Sequence, residues 1–156
     1  MSFISKKTKE SITQCNSIAS LKEVFKAICQ DYLDTYPLAK KYSWFEKSHT
    51  RQGAATEIKE ILNSHQMKKI LNSYQMDEKI QISEKTSAKK AENTCDFFQG
   101  LLKKAGNGSL CITLSGAFNK FIENLKKNKT SLGEKEKILL EDHEARVNTT
   151  CERAGL

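Results

Sequence analysis

The sequence predicts an all-α fold, a compact bundle or orthogonal array of six to eight helices, and three observations predict it. Apolar side chains recur at i, i+3, i+4 through most of the chain. Ser and Thr stand ahead of these stretches, with Gly or Pro behind them. Alternating β-branched runs, the mark of strands, are nearly absent. The 156 residues include one proline and seven glycines, and 38% are apolar. A chain of this length buries about two-thirds of its extended surface in one core. Residues 1–156 therefore read as a single α-helical domain, frayed at 1–5 and 149–156. No apolar run approaches the roughly eighteen residues of a membrane span.

A first helix is expected around residues 5–17. The strongest stripe covers 20–36, where Ser20 and Glu23 have capping-box spacing and Leu21, Val24, Phe25, Ile28, Tyr32 and Tyr36 share one face. Pro37 ends that helix and suits the first turn of a short one over 37–47, with Leu38, Tyr42, Trp44 and Phe45. Ser48–Gly53 reads as a loop.

Within 54–82 lies a tandem nine-residue repeat. Lys59-Glu-Ile-Leu-Asn-Ser-His-Gln-Met67 is followed by Lys68-Lys-Ile-Leu-Asn-Ser-Tyr-Gln-Met76, identical at seven of nine positions. Nine helical residues turn through about 900°, which is half a turn out of phase, so a straight helix puts Ile61 and Ile70 on opposite faces. Either the helix breaks near His65–Lys68 or both of its faces are covered.

Thr86 or Ser87 caps the next helix, where Ala88, Ala91, Cys95, Phe98, Leu102 and Ala105 keep the helical rhythm until Gly106 stops it. Ser109 opens another, with Leu110, Leu114, Ala117, Phe118, Phe121, Ile122 and Leu125 in line. Leu110–Ser115 also alternates loosely, but a lone strand has no partner and helix is the preferred reading. Thr130 or Ser131 with Glu134 begins a last helix through Ile138 and Leu139, fading near Asn148. The core is expected to draw on Val24, Phe25, Ile28, Phe98, Leu102, Phe118, Phe121, Ile122 and Leu125.

Motifs that carry chemistry are missing. His49, His65 and His143 lack HxxxH or HExxH spacing, and no Cys/His cluster has zinc geometry. Cys15, Cys29, Cys95, Cys111 and Cys151 are an odd set without CxxC spacing, and they read as reduced, packed thiols. Gly106-Asn-Gly108 lacks the Lys-Ser/Thr of a phosphate loop and reads as a turn. Glu141, Asp142 and Glu144 stand near Arg146 and Lys137, where salt links explain them. The expectation is no enzyme, no cofactor and no metal. An active site with a Cys/His pair brought together by the fold is the remaining catalytic reading.

The formal net charge is +7. Residues 1–128 hold 21 basic and 13 acidic side chains, a net +8, and residues 129–156 hold 5 and 6, a net −1. Doublets at Lys6-Lys7, Lys40-Lys41, Lys68-Lys69, Lys89-Lys90, Lys103-Lys104 and Lys126-Lys127 could bind phosphates. Arginine, the better reader of bases and phosphates, occurs three times only, and the doublets are spread along the chain. Two apolar surfaces compete with this reading: Tyr42, Trp44 and Phe45 beside Tyr36, and Met67, Ile70, Leu71 and Tyr74 of the repeat, which offer a strip to a partner helix.

The start, Met1-Ser-Phe-Ile-Ser-Lys-Lys, has no apolar h-region, so synthesis in a cytosol is expected and the sequons at Asn107, Asn128 and Asn148 carry no weight. Near the other end, Glu141-Asp142-His143-Glu144 precedes a polar, small-residue tail, Asn148-Thr-Thr-Cys-Glu-Arg-Ala-Gly-Leu156. This resembles the acidic block and tail of effectors that intracellular bacteria translocate through type IVB secretion systems. Arg146 and Arg153 depart from that pattern. The resemblance implies delivery into a host cytosol and implies no activity. The expectation from sequence is a noncatalytic helical domain that binds a protein partner, host-derived if the chain is an effector. The alternative is a basic helical module for nucleic acid or an anionic membrane surface.

Overall fold

The computed structural model describes residues 3–36, 51–76, 84–106 and 108–127, side chains at 51, 73–92, 125 and 126 excepted. It is all-α. Six helices pack on one another, and there is no strand among the described residues. They are α1 (Lys6–Thr13), α2 (Ile18–Thr35), α3 (Arg51–Leu62), α4 (His65–Met76), α5 (Glu84–Ala105) and α6 (Ser109–Lys127). The helices expected over 37–47 and beyond Thr130 lie outside the described residues, as does the frayed end at 149–156.

Helix α1 is shorter than its expected 5–17. Ser5 caps it, its hydroxyl accepting from the Thr8 amide at 3.1 Å. Asp31 of α2 then accepts from the Thr8 hydroxyl at 2.6 Å and from the Ser5 amide at 2.9 Å, which docks α1 on α2. At the other end the Asn124 side-chain amide donates to the carbonyls of Thr13 at 2.9 Å and Cys15 at 2.8 Å. Satisfied by α6, these carbonyls have no need of further helical turns. Phe3 and Ile4 lie half-buried against the core, and Phe3 meets Tyr32 edge-on with ring centroids 5.1 Å apart.

The cap of helix α2 lies three residues before the expected one at Ser20. Ser17 is the cap, and Ser20 is its partner: Ser17 Oγ accepts from the Ser20 amide at 3.0 Å, and Ser20 Oγ from the Ser17 amide at 2.9 Å. The extra turn buries Ile18 with Leu21, which is the reason to begin early. Helix α3 likewise runs through Arg51–Gly53, where a loop is expected, with Gly53 buried inside it. Gly106 ends α5 at φ +73°, as its missing Cβ allows. In α6, Leu110, Cys111, Leu114 and Ser115 are all buried, a helical pattern that excludes the strand alternative. The first α6 bond runs from the Ile112 amide to the Gly108 carbonyl at 3.1 Å, so the cap is Gly108, one residue before the expected Ser109.

Helix α2 is central, packing on α1, α3 and α6, and α5 closes the array against α3 and α6. Phe25, Phe98, Phe118 and Phe121 form a chain of rings with neighbouring centroids 5.2 to 6.2 Å apart. Of the expected core, Val24, Phe25, Ile28, Phe98, Leu102, Phe118, Phe121 and Ile122 are buried, and the Leu125 side chain lies outside the described set. No helix among the described residues is long and apolar enough to cross a membrane.

Candidate functional site

The repeat is resolved by a break. Helix α3 closes at Leu62, Asn63–Ser64 turn the chain, and α4 starts at His65, just ahead of the expected His65–Lys68 window. The turn removes the half-turn conflict, because Ile58 and Leu62 of α3 and Met67 of α4 all enter the core. Helix α4 packs on α3 and stands beside α5 with an open groove of about 380 Å³ between them.

Both walls of the groove use the same helical triplet, i, i+3, i+4. Gln66, Lys69 and Ile70 come from α4, and Asn93, Asp96 and Phe97 from α5. Each triplet supplies two polar groups and one apolar one. Ile70 is half-buried and Phe97 only 8% exposed, whereas Gln66, Lys69, Asn93 and Asp96 are exposed at the rim. Behind Phe97 stands Phe98, edge-on at 5.3 Å, so the groove floor is braced by the aromatic core. An apolar floor with one cationic and one anionic side chain at its edge suits a partner side chain that is apolar with polar neighbours.

Several residues expected to form a binding surface fare differently. Ile70 lines the groove. Leu71 is half-buried and packed against the core. Met67 is fully buried and offers no surface: the turn at Asn63–Ser64 rotates it inward, a correction to the exposed strip read from the repeat. Tyr74 belongs to α4, with its side chain outside the described set, and Tyr42, Trp44 and Phe45 lie outside the described residues. Tyr36, 44% exposed, stacks at a tilt on Tyr32 with centroids 5.0 Å apart. Phe97 and its polar neighbours were not foreseen. The signal was the Phe97-Phe98 doublet: adjacent helical residues are about 100° apart, so where Phe98 is central to the core Phe97 falls at its edge, buried but lining the groove.

The chemistry of the rest is quiet. The side chains of Cys15, Cys29, Cys95 and Cys111 are fully buried. Burial pushes the Cys29 thiol up to about 12, against the pull of nearby Lys59. Cys15 is also raised by burial, partly offset by the Ser20 hydroxyl, which donates to its sulfur at 3.6 Å. Such thiols are poor nucleophiles. His65 is exposed, and among the described residues no group of three or more His, Cys, Asp or Glu could hold a metal ion.

Exposed lysines lie on α1 (Lys6, Lys7, Lys9), α4 (Lys68, Lys69) and α5 (Lys103, Lys104). Lys104 pairs with Glu57 of α3 at 3.8 Å, and Glu123 takes Lys127 at 2.9 Å and Lys120 at 3.6 Å. The hydrogen bond from Lys127 and the charge of Lys120 lower the Glu123 carboxyl below its ordinary value. Lys59 donates to Gln30, which donates in turn to Asp34 at 2.8 Å. Comparison with protein-family models, curated proteins and solved structures finds no match for the chain, so the groove stands on its own geometry.

Proposed function

We infer that the chain is a noncatalytic helical interaction module that binds a protein partner in the α4–α5 groove, an apolar partner side chain seating on Ile70 and Phe97. The observation that carries this reading is the groove itself, about 380 Å³, apolar at its floor and polar at its rim. Deep, unreactive thiols and scattered histidines fit a binding role better than a catalytic one. The acidic block at Glu141–Glu144 suggests the setting, a bacterial effector carried by a type IVB system to a host protein.

The test is a tagged pull-down from eukaryotic lysate, with and without nuclease, washed at ~0.15 M and ~0.5 M salt, because screening separates lysine-driven from apolar binding. The variant is Ile70→Glu, its fold checked by circular dichroism. The expected result is a stoichiometric protein that survives nuclease and high salt and is bound about thirtyfold more weakly by Ile70→Glu, the loss of a hot spot of ~2 kcal/mol. Equal capture by both chains overturns the groove. Nucleic acid or lipid recovered at low salt only would instead favour a basic module acting through the lysine doublets.

A further inference from the structure

The two copies of the repeat hold the same central residues in different conformations. In the first copy, Ile61-Leu62-Asn63-Ser64 ends α3 and introduces α4; in the second, Ile70-Leu71-Asn72-Ser73 runs unbroken inside α4. The four residues at the junction are therefore compatible with helix, and the second copy is the chain's own control.

The interruption is also small. The Asn63 amide still donates to the Lys59 carbonyl at 3.2 Å, an i to i−4 bond, and the Ser64 amide donates to Ile61 at 3.0 Å. The helical pattern resumes when the Lys68 amide reaches the Ser64 carbonyl at 3.2 Å. In between, the Met67 amide is taken by the Ser64 hydroxyl at 3.4 Å. Apart from that one long cap bond, local hydrogen bonding does little to oppose a straight helix over 51–76, about 39 Å long. Beside the cap, what holds the bend is tertiary, the burial of Met67 and the packing of α4 on α3.

The junction divides the described helices into α1–α3 and α4–α6. Between these halves, α1 and α2 pack on α6, α3 packs on α5, and α3 packs on α4. The contacts of α1, α2 and α3 with α5 and α6 are indifferent to whether the two halves belong to one chain or to two. Only the bend is specific to the closed monomer. The geometry points to a helix-extension hinge at Asn63–Ser64 through which two copies of this chain exchange halves, α1–α3 of one packing on α4–α6 of the other. A second copy is the occupant because it alone presents the surfaces that the opened halves have lost. The inference is independent of the groove reading.

The test is refolding from denaturant at high and at low chain concentration, followed by size-exclusion chromatography with light scattering. Asn63→Ala with Ser64→Ala removes the cap and raises helix propensity. Two junctions straighten per dimer, so a bias of about tenfold at each becomes about a hundredfold in the dimer equilibrium. This variant is expected to give a dimer after refolding at high concentration. His65→Pro does the opposite: at the first position of α4 proline is tolerated, but in a straight helix its ring meets the Ile61 carbonyl. That chain is expected to fold and remain monomeric at both concentrations. Should it fail to fold by circular dichroism, two glycines inserted between Asn63 and Ser64 replace it, since they oppose a straight helix and relax the bend. No dimer from the double alanine variant, or a dimer as abundant with proline or inserted glycines, overturns the hinge.

Discussion

Cys29 is the residue whose surroundings have the clearest consequence in solution. Its thiol titrates near 9 when hydrated and about 12 in the fold, because burial disfavours the thiolate. A group whose folded value is raised holds its proton more tightly in the native state, so unfolding releases a proton above pH 9. The stability it contributes is fully present below about pH 9 and is lost as pH climbs toward 12. The slope is about 1.4 kcal/mol per pH unit for each such thiol. Cys15 shifts in the same direction and adds to it. Urea unfolding at pH 7, 9 and 10.5 is expected to show a plateau between the first two and a drop at the third. Cys29→Ala, whatever it costs at pH 7, is expected to make that drop shallower; an unchanged drop would assign it to other groups.

At the scale of the helix, two glycines test how far local propensity is optimised. Gly100 in α5 and Gly116 in α6 are exposed, and a Cβ at either meets no atom within 4 Å. Nothing in the packing requires them. Gly100→Ala and Gly116→Ala are each expected to stabilise the fold by about 0.5–1 kcal/mol. A thermal melt of the double variant is expected to rise by several degrees, and a fall would show that these helices need glycine for a reason outside the described contacts. The helices themselves were legible in the sequence because their apolar spacing is strong: Leu21 to Tyr32 and Ala117 to Ile122 hardly admit another reading, whereas Leu110–Ser115 also allowed a short strand until burial of Cys111 and Ser115 decided for helix. Boundaries were harder. Ser17 and Ser20 compete as caps, and burial of Ile18 decides between them. The break in the repeat followed from arithmetic, since nine residues do not return a helix to the same face. Which side chains it buries did not follow. Met67 was expected at the surface and Phe97 was not singled out, because both depend on how α4 lies against its neighbours. The groove is therefore a tertiary feature, half legible through Ile70 and otherwise hidden until the helices are placed.

Across the whole molecule, a contact between residues more than a hundred apart is made by Asn124, whose amide reaches back to Thr13 and Cys15. Both bonds vanish in Asn124→Ala. Water can replace the donor at the exposed Thr13 carbonyl, but the Cys15 carbonyl is partly buried, so a loss of about 1–2 kcal/mol is expected, chiefly from Cys15. The effect has a place as well as a size. Amide hydrogen exchange in α1 is expected to accelerate ahead of α2 and α5, because α1 is then held chiefly by Asp31 through Thr8 and Ser5. Uniform acceleration in all helices would mean that α1 and the core unfold as one unit.

The same clasp bears on how the chain matures as it leaves the ribosome. Asp31 follows Thr8 by only 23 residues, so a provisional α1–α2 pair can assemble on the nascent polypeptide. Asn124 emerges more than a hundred residues after Thr13, and until then the end of α1 has no lasting anchor. The joint between α1 and α6 therefore forms only once α6 is made, and a ribosome stalled between α5 and α6 would display α1 without it, beside an α2 face that waits for the same helix.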